Sequence, residues 1–164
     1  MESERRFFLI IIVFLCGIIA GFCICALSPL SFDDWKKDGK IKYIYTDDAP
    51  KPIGPYSQGI LCNGFFYTAG QIGILPSGEI ISSDLSDQTD QVMKNLKAVL
   101  ASEGLSFSDV LSVKIYLTDI EGFDVVNSIY GSYFPSNAPA RSVIEVSSLP
   151  GGAKIEMDMI AVKN

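Results

Sequence analysis

Histidine is absent from all 164 residues of the chain. Without an imidazole the protein cannot build a Ser-His-Asp triad, a Cys-His pair or a zinc site of the HExxH type. The formal net charge is −6. This charge argues against DNA or RNA as a ligand, because binding of nucleic acids depends on Lys and Arg side chains that neutralise phosphates. The length fits one domain with a short addition.

Cysteine offers little chemistry as well. Cys16, Cys23 and Cys25 lie in an apolar N-terminal stretch, and Cys62 stands alone in the rest of the chain. Cys23 and Cys25 are too close together, and their surroundings too apolar, for a zinc site. We expect Cys62 to be a small apolar residue that is at least half buried.

A long uncharged run follows Arg5 and Arg6 and extends from Phe7 to Phe32. As a helix, its most apolar part, residues 7–27, would span about 30 Å, the thickness of a bilayer core. The apolar region of a signal peptide has only about 7–15 residues. The length therefore favours an uncleaved hydrophobic N-terminal helix that anchors the chain in a membrane. A cleaved signal, which would export the domain, stays open.

The charge pattern divides the chain into three regions. Residues 1–32 are the anchor or signal segment, residues 33–42 are a charged linker, and residues 43–164 form the globular domain. The linker contains four lysines, against two arginines before the apolar run. The positive-inside rule then slightly favours the cytoplasmic side for the domain.

Hydrophobic periodicity predicts an α+β domain with the element order β-β-β-α-β-α-β-β. The pair Asn63-Gly64 between two apolar runs predicts a hairpin, and residues 70–78 are interpreted as a loop. Helices are predicted over residues 84–103 and 123–134, both packed on one face of the sheet. The apolar stripe of the first helix consists of Val92, Leu96, Val99 and Leu100.

Bulky side chains are predicted on both faces of the strands, as in the run Phe65-Phe66-Tyr67. Two helices can cover only one face of a small sheet. The other face would expose a large apolar surface, so we expect an oligomer that buries it.

The last two strands, residues 141–146 and 153–162, are predicted to form a hairpin. In the simplest register Arg141 lies opposite Asp158 and shares one face with Glu156. Arg141 is the only arginine after the N-terminal pair, and its guanidinium could bind a carboxylate through two parallel hydrogen bonds. A surface salt bridge to Glu156 or Asp158 would explain the same pattern, so both interpretations remain open at this point.

Five short motifs occur in order along residues 43–163. They are Ala49-Pro50-x-x-Ile53-Gly54-Pro55-Tyr56-Ser57-Gln58-Gly59, Thr68-Ala69-Gly70-Gln71-Ile72, Asn127-x-x-Tyr130-x-x-x-Phe134, Pro139-Ala140-Arg141-Ser142 and Lys154-Ile155-Glu156. Together they resemble the RidA (YjgF) family of enamine/imine deaminases. The resemblance implies a chorismate-mutase-like fold and a homotrimer in which the sheets form an inner barrel and the sites lie between subunits.

The resemblance also implies a reaction, the hydrolysis of 2-aminoacrylate and 2-iminobutanoate to 2-keto acids and ammonia without a metal or cofactor. Arg141 would hold the substrate carboxylate. Glu156, expected to stay ionised beside the guanidinium, would position or activate the attacking water, or transfer a proton to the leaving ammonia. The other implied substrate contacts are the ring of Tyr56, the backbone N–H groups of Gly70 and Val143, and the side chain of Asn127.

Two positions depart from the family pattern, since many family deaminases have Cys at position 143 and Ser at position 69. A backbone contact would survive at Val143, whereas Ala69 lacks a hydroxyl for a water network. The alternative function is therefore a trimeric scaffold that binds small carboxylates without turnover.

Overall fold

The computed structural model describes residues 40–163. In this part of the chain, seven strands and two α-helices form one mixed α+β domain. The elements are β1 (Lys42–Ile44), β2 (Gly59–Cys62), β3 (Phe65–Thr68), β4 (Gln71–Ile72), α1 (Leu85–Ala101), β5 (Val110–Leu117), α2 (Phe123–Tyr133), β6 (Ala140–Glu145) and β7 (Ile155–Val162).

The strands form a single sheet in the order β1-β2-β3-β7-β5-β6, and β4 pairs with β7 beyond the end of β3. All pairs are antiparallel except β5 and β6. Parallel neighbours need a crossover connection, which α2 provides between these two strands. Both helices contribute to one hydrophobic core with the sheet.

Helix α1 confirms the predicted apolar stripe. The Asp84 side chain caps its first turn by accepting the backbone N–H groups of Ser86 and Asp87. Gly104, with φ of +72°, ends it in the left-handed conformation that glycine adopts without strain. The side chains that are fully buried against the sheet include Val92, Leu96, Val99 and Leu100.

The predicted β2–β3 hairpin is present as well. Asn63 and Gly64 both have positive φ, 51° and 76°, as the tight turn between twisted strands requires. The prediction of a loop over residues 70–78 was wrong in its first part. Gln71 pairs with Met157 and Ile72 with Glu156, so this segment contains the short strand β4.

The predicted hairpin between the last two strands was wrong. β5 lies between β6 and β7, and Val113 pairs with Arg141 on one side and with Met159 on the other. Side chains of paired residues share a face, so Arg141 lies with Met159 and not with Asp158. The tertiary register differs from the predicted one by one residue, and one residue is enough to reverse the face.

The sheet face opposite the helices, here called the open face, carries large side chains that nothing else in residues 40–163 covers. Tyr43, Tyr67 and Ile144 lie on it and are 61%, 45% and 46% exposed. This agrees with the bulky residues predicted on both faces, and the oligomer expected from them stays a prediction. The apolar run of residues 7–27 lies outside the described residues. No helix in residues 40–163 is long and apolar enough to span a membrane.

Candidate functional site

A cleft of about 290 Å³ opens beside β4, next to the first residues of β7, where Glu156 lies. Much of its wall is apolar, formed by Pro50, Ile53, Ile72, Ile74 and Pro150. The polar side chains that line it are Lys51, Tyr56, Gln71 and Glu156, and the backbone of Gly70 lies among them. A mostly apolar cleft with a few convergent polar groups is the usual form of a small-molecule site.

Gly70 and Glu156 are in direct contact. A side chain at position 70 would overlap the Glu156 carboxylate, so glycine is the residue that leaves room for it. Burial raises the pKa of Glu156 above its ordinary value, and the neighbouring charge of Asp158 raises it further. Within the single chain Arg141 is not a neighbour of this carboxylate, so the expectation that a nearby guanidinium keeps Glu156 ionised stays a prediction.

Tyr56 enters the cleft from the proline-rich loop before β2. Its hydroxyl accepts a hydrogen bond from the backbone N–H of Ile53 at 3.3 Å. Gln58 holds this loop in place. The Gln58 side chain is 1% exposed, accepts the N–H of Thr46 at 2.6 Å, and donates to the carbonyl oxygens of Thr46, Ala49 and Pro50.

A second buried amide supports the cleft from helix α1. Asn95 donates to the carbonyl oxygens of Ile72 and Ile74 at 3.2 and 2.8 Å, and its own oxygen accepts from Gln91 at 2.8 Å. Sequence reasoning assigned no role to Gln58 or Asn95. A signal was available in each case. Gln58 follows a proline-rich loop and Asn95 lies on the apolar face of a helix, and an amide side chain that is buried in such a place requires hydrogen-bond partners.

Arg141 lies elsewhere, on the helix side of edge strand β6. Its Nη2 donates to Oδ1 of Asn127 on α2 at 2.9 Å. Its Cζ lies 4.7 Å from the centre of the Tyr130 ring and 5.6 Å from that of Phe123. Among residues 40–163 no carboxylate lies within salt-bridge distance of this guanidinium. The alternative of a salt bridge to Glu156 or Asp158 is therefore wrong within one chain.

The predicted site residues thus fall into two groups. Tyr56, Gly70 and Glu156 form what we call the glutamate half-site, at the cleft. Arg141, Asn127 and Val143 form the arginine half-site; Val143 pairs with Ile115 on the helix side of the sheet.

Two strand spacings and three residues separate the Cα atoms of Arg141 and Glu156, on the order of 14 Å, and their side chains leave opposite faces. The prediction that these two side chains share one patch was wrong for the single chain. Within residues 40–163 no group of three Cys, Asp or Glu side chains is arranged to hold a metal ion.

Comparison with known proteins gives consistent matches over the described domain. The family model described as Endoribonuclease L-PSP matches residues 46–163. A RutC family protein of Pyrococcus horikoshii is 49% identical over 121 residues, which cover 73% of this chain and 96% of that protein. The human 2-iminobutanoate/2-iminopropanoate deaminase is 40% identical over 123 residues, covering 74% of this chain and 90% of that protein.

The crystal structure of Escherichia coli TdcF with bound serine is similar to this chain in fold. It has a TM-score of 0.72 and 36% sequence identity, and the match covers 75% of this chain and 99% of TdcF. TdcF therefore has this fold over nearly its whole length.

Proposed function

Because the chain belongs to the endoribonuclease L-PSP family, also called the RidA family, we propose that it hydrolyses reactive 2-imino and 2-enamino acids. The products are 2-keto acids and ammonia. The observation that carries this proposal concerns Arg141. Its guanidinium contacts Asn127 and Tyr130 and has no carboxylate partner in the described part of the chain. Such a group suits the carboxylate common to these substrates. Membership of the same family as a protein named 2-iminobutanoate/2-iminopropanoate deaminase supports the reaction.

The active form that we propose is a homotrimer with the chorismate-mutase-like arrangement, in which the sheets form an inner barrel. The glutamate and arginine half-sites lie too far apart in one chain to contact one small substrate. The large side chains on the open face supply a surface that a second copy would bury. Each complete site would then combine the arginine half-site of one copy with the glutamate half-site of its neighbour.

In the proposed reaction Arg141 fixes the substrate carboxylate, and Glu156 of the neighbouring copy orients a water molecule toward the imine carbon. The water oxygen bonds to that carbon, and Glu156 accepts the proton that the water loses. The C=N electron pair moves to nitrogen, which takes the proton that Glu156 received from the water. The second proton of the water then passes from the new hydroxyl to nitrogen through Glu156, the C–N bond breaks, ammonia leaves, and the carbonyl forms. The elevated pKa of Glu156 suits both acceptance and return of a proton. Tyr56 would line the pocket, and the backbone N–H groups of Gly70 and Val143 would contact the substrate.

We also propose that residues 7–27 anchor the domain to a membrane, with the domain on the cytoplasmic side. Alkaline extraction of membranes from cells that express the full chain tests the anchor. An anchored chain stays in the membrane pellet, whereas a chain recovered in the soluble fraction at the mass of the domain indicates a cleaved segment. Protease digestion of sealed vesicles reports the side.

The direct test is a coupled assay in which a threonine dehydratase generates 2-iminobutanoate from threonine and 2-ketobutanoate release is followed. We expect the wild-type protein to accelerate release, and Arg141→Ala to lower kcat/KM by about a hundredfold or more, because two charged hydrogen bonds to the carboxylate are lost. Lys97→Ala, which removes an exposed cation on α1, is the matched control. No acceleration by assembled wild-type protein would contradict the proposal and favour a carboxylate-binding scaffold.

A further inference from the structure

We infer that Phe123 and Tyr130 are positioning residues for Arg141. Their two rings and the Asn127 amide form what we call the guanidinium cradle. This inference rests on the proposed function, since it assigns what orients the group that would hold the substrate carboxylate. Asn127, expected from the family resemblance to contact substrate, receives a different role here, because its side-chain oxygen is bound to Arg141.

The cradle is a product of helical spacing. Phe123, Asn127 and Tyr130 are separated by four and three residues, the spacing that places side chains along one face of a helix. The Arg141 side chain leaves edge strand β6 toward the helix and contacts all three residues on this face of α2. Tyr130 is only 4% exposed and also packs on Phe134, with ring centres 4.6 Å apart. Its ring is therefore a fixed surface for the guanidinium.

The aromatic rings attract the guanidinium without using its N–H donors, which a carboxylate would not do. The negative face of a ring attracts a guanidinium within about 6 Å of the ring centre, and both rings meet that distance. A carboxylate would hold the guanidinium by occupying its N–H donors. The cradle uses one of five N–H donors, at Nη2, and leaves the others for a ligand carboxylate.

The Tyr130 hydroxyl does not explain the presence of this residue. It is buried and has no hydrogen-bond partner in residues 40–163. Burial raises the pKa of Tyr130, so the phenol is neutral near pH 7 and cannot pair with the guanidinium as an anion. The ring is the part of Tyr130 that contacts Arg141. A substitution that removes only the hydroxyl therefore tests the role of the ring separately.

The kinetic test compares Phe123→Leu and Tyr130→Leu with the ring-preserving variants Phe123→Tyr and Tyr130→Phe. We expect each leucine variant to raise KM for 2-iminobutanoate about tenfold, with a much smaller change in kcat, because the lost attraction acts on binding of the carboxylate. The ring-preserving variants should recover most of the lost affinity. Phe107→Leu is the matched control, since Phe107 packs on Tyr133 and Phe134 in the same cluster. Melting temperatures identify variants that are unfolded.

A second measurement does not depend on turnover. Arg141 is the only arginine in residues 40–164, so its Nε–H group gives a single resonance in a ¹⁵N-labelled domain. We expect this resonance to move on titration with 2-ketobutanoate, and the titration to weaken in the leucine variants. Absence of turnover with an intact titration would overturn the deaminase proposal but not the cradle. Leucine variants with wild-type KM and titration, or a Tyr130→Phe variant as impaired as Tyr130→Leu, would overturn the cradle.

Discussion

The Glu156 carboxylate occupies the space that any side chain at position 70 would fill. The contact is with the flexible end of a side chain, so a substitution there can move the carboxylate without disturbing the backbone. Gly70 lies between β3 and β4, where the strand that pairs with β7 changes from β3 to β4. The position of the Glu156 carboxylate, the proposed acid–base group, therefore depends on a residue that contributes no side chain of its own.

Gly70→Ala should separate activity from stability. The added methyl group displaces the Glu156 carboxylate from its position, and we expect kcat for 2-iminobutanoate hydrolysis to fall at least tenfold. The melting temperature should change by only a few degrees. Gly78→Ala is a control for the effect of backbone strain alone. A Cβ added at Gly78 would meet open space, but the residue has a positive φ. A fully active Gly70→Ala protein would contradict the role of Glu156.

We expect the pH dependence of activity to report the pKa of Glu156. Burial and Asp158 both raise that pKa. As the pH falls, an enzyme that needs this glutamate ionised therefore loses activity at a higher pH than it would with an ordinary glutamate. Asp158→Asn removes the second cause, and we expect the acid limb of kcat/KM to move to lower pH. The exposed carboxylate of Glu121 offers a control variant, Glu121→Gln. An unmoved acid limb in Asp158→Asn would show that another group titrates.

At the scale of elements, buried amides fix loops that have little secondary structure of their own. Gln58 satisfies four backbone groups of the segment from Thr46 to Pro50. That segment leads into the turn that carries Tyr56 to the cleft. Asn95 acts in the same way on the end of β4 and the chain that follows it. Backbone groups that are buried without a partner are costly, so each amide is worth more than a single exposed hydrogen bond.

Gln58→Leu should destabilise the domain strongly for one substitution. The N–H of Thr46 and three carbonyl oxygens lose a partner whose side chain is buried, and we expect the free energy of unfolding to fall by about 2–3 kcal/mol. Denaturant titration measures the change. Ser57→Ala, which removes an exposed hydroxyl bonded to Tyr45, should cost less than about 0.5 kcal/mol. A similar loss in both variants would contradict the special role of Gln58.

For the whole molecule, the separation of the two half-sites makes a complementation experiment decisive. Arg141→Ala and Glu156→Gln should each be nearly inactive alone. In mixed oligomers, about a quarter of the sites combine an intact arginine half-site with an intact glutamate half-site, so we expect about a quarter of wild-type activity. Coexpression followed by the coupled assay measures it.

A mixture of Gly70→Ala with Glu156→Gln provides the matched control. Both substitutions alter the glutamate half-site, so no mixed oligomer can contain a complete site. Restored activity in this control, or its absence in the first mixture, would contradict a site shared between copies. Light scattering of the wild-type protein reports whether three copies are present.

The sequence by itself determined the local elements and the identity of the chemical groups. Helical periodicity fixed the stripe of α1, and Asn63-Gly64 fixed the hairpin turn, because both depend on residues close together in the chain. The five motifs were sufficient to identify the family and to indicate Arg141 and Glu156. The absence of histidine removed whole classes of mechanism without any structure.

Only the tertiary structure decided how those groups are arranged. The insertion of β5 between β6 and β7 reversed the face on which Arg141 lies relative to Glu156, because a change of register by one residue exchanges the two faces of a strand. The partners of Arg141 on α2 and of Gln58 on the proline-rich loop were likewise set by packing between distant segments. Local patterns specify which surfaces exist, whereas non-local pairing specifies which surfaces meet.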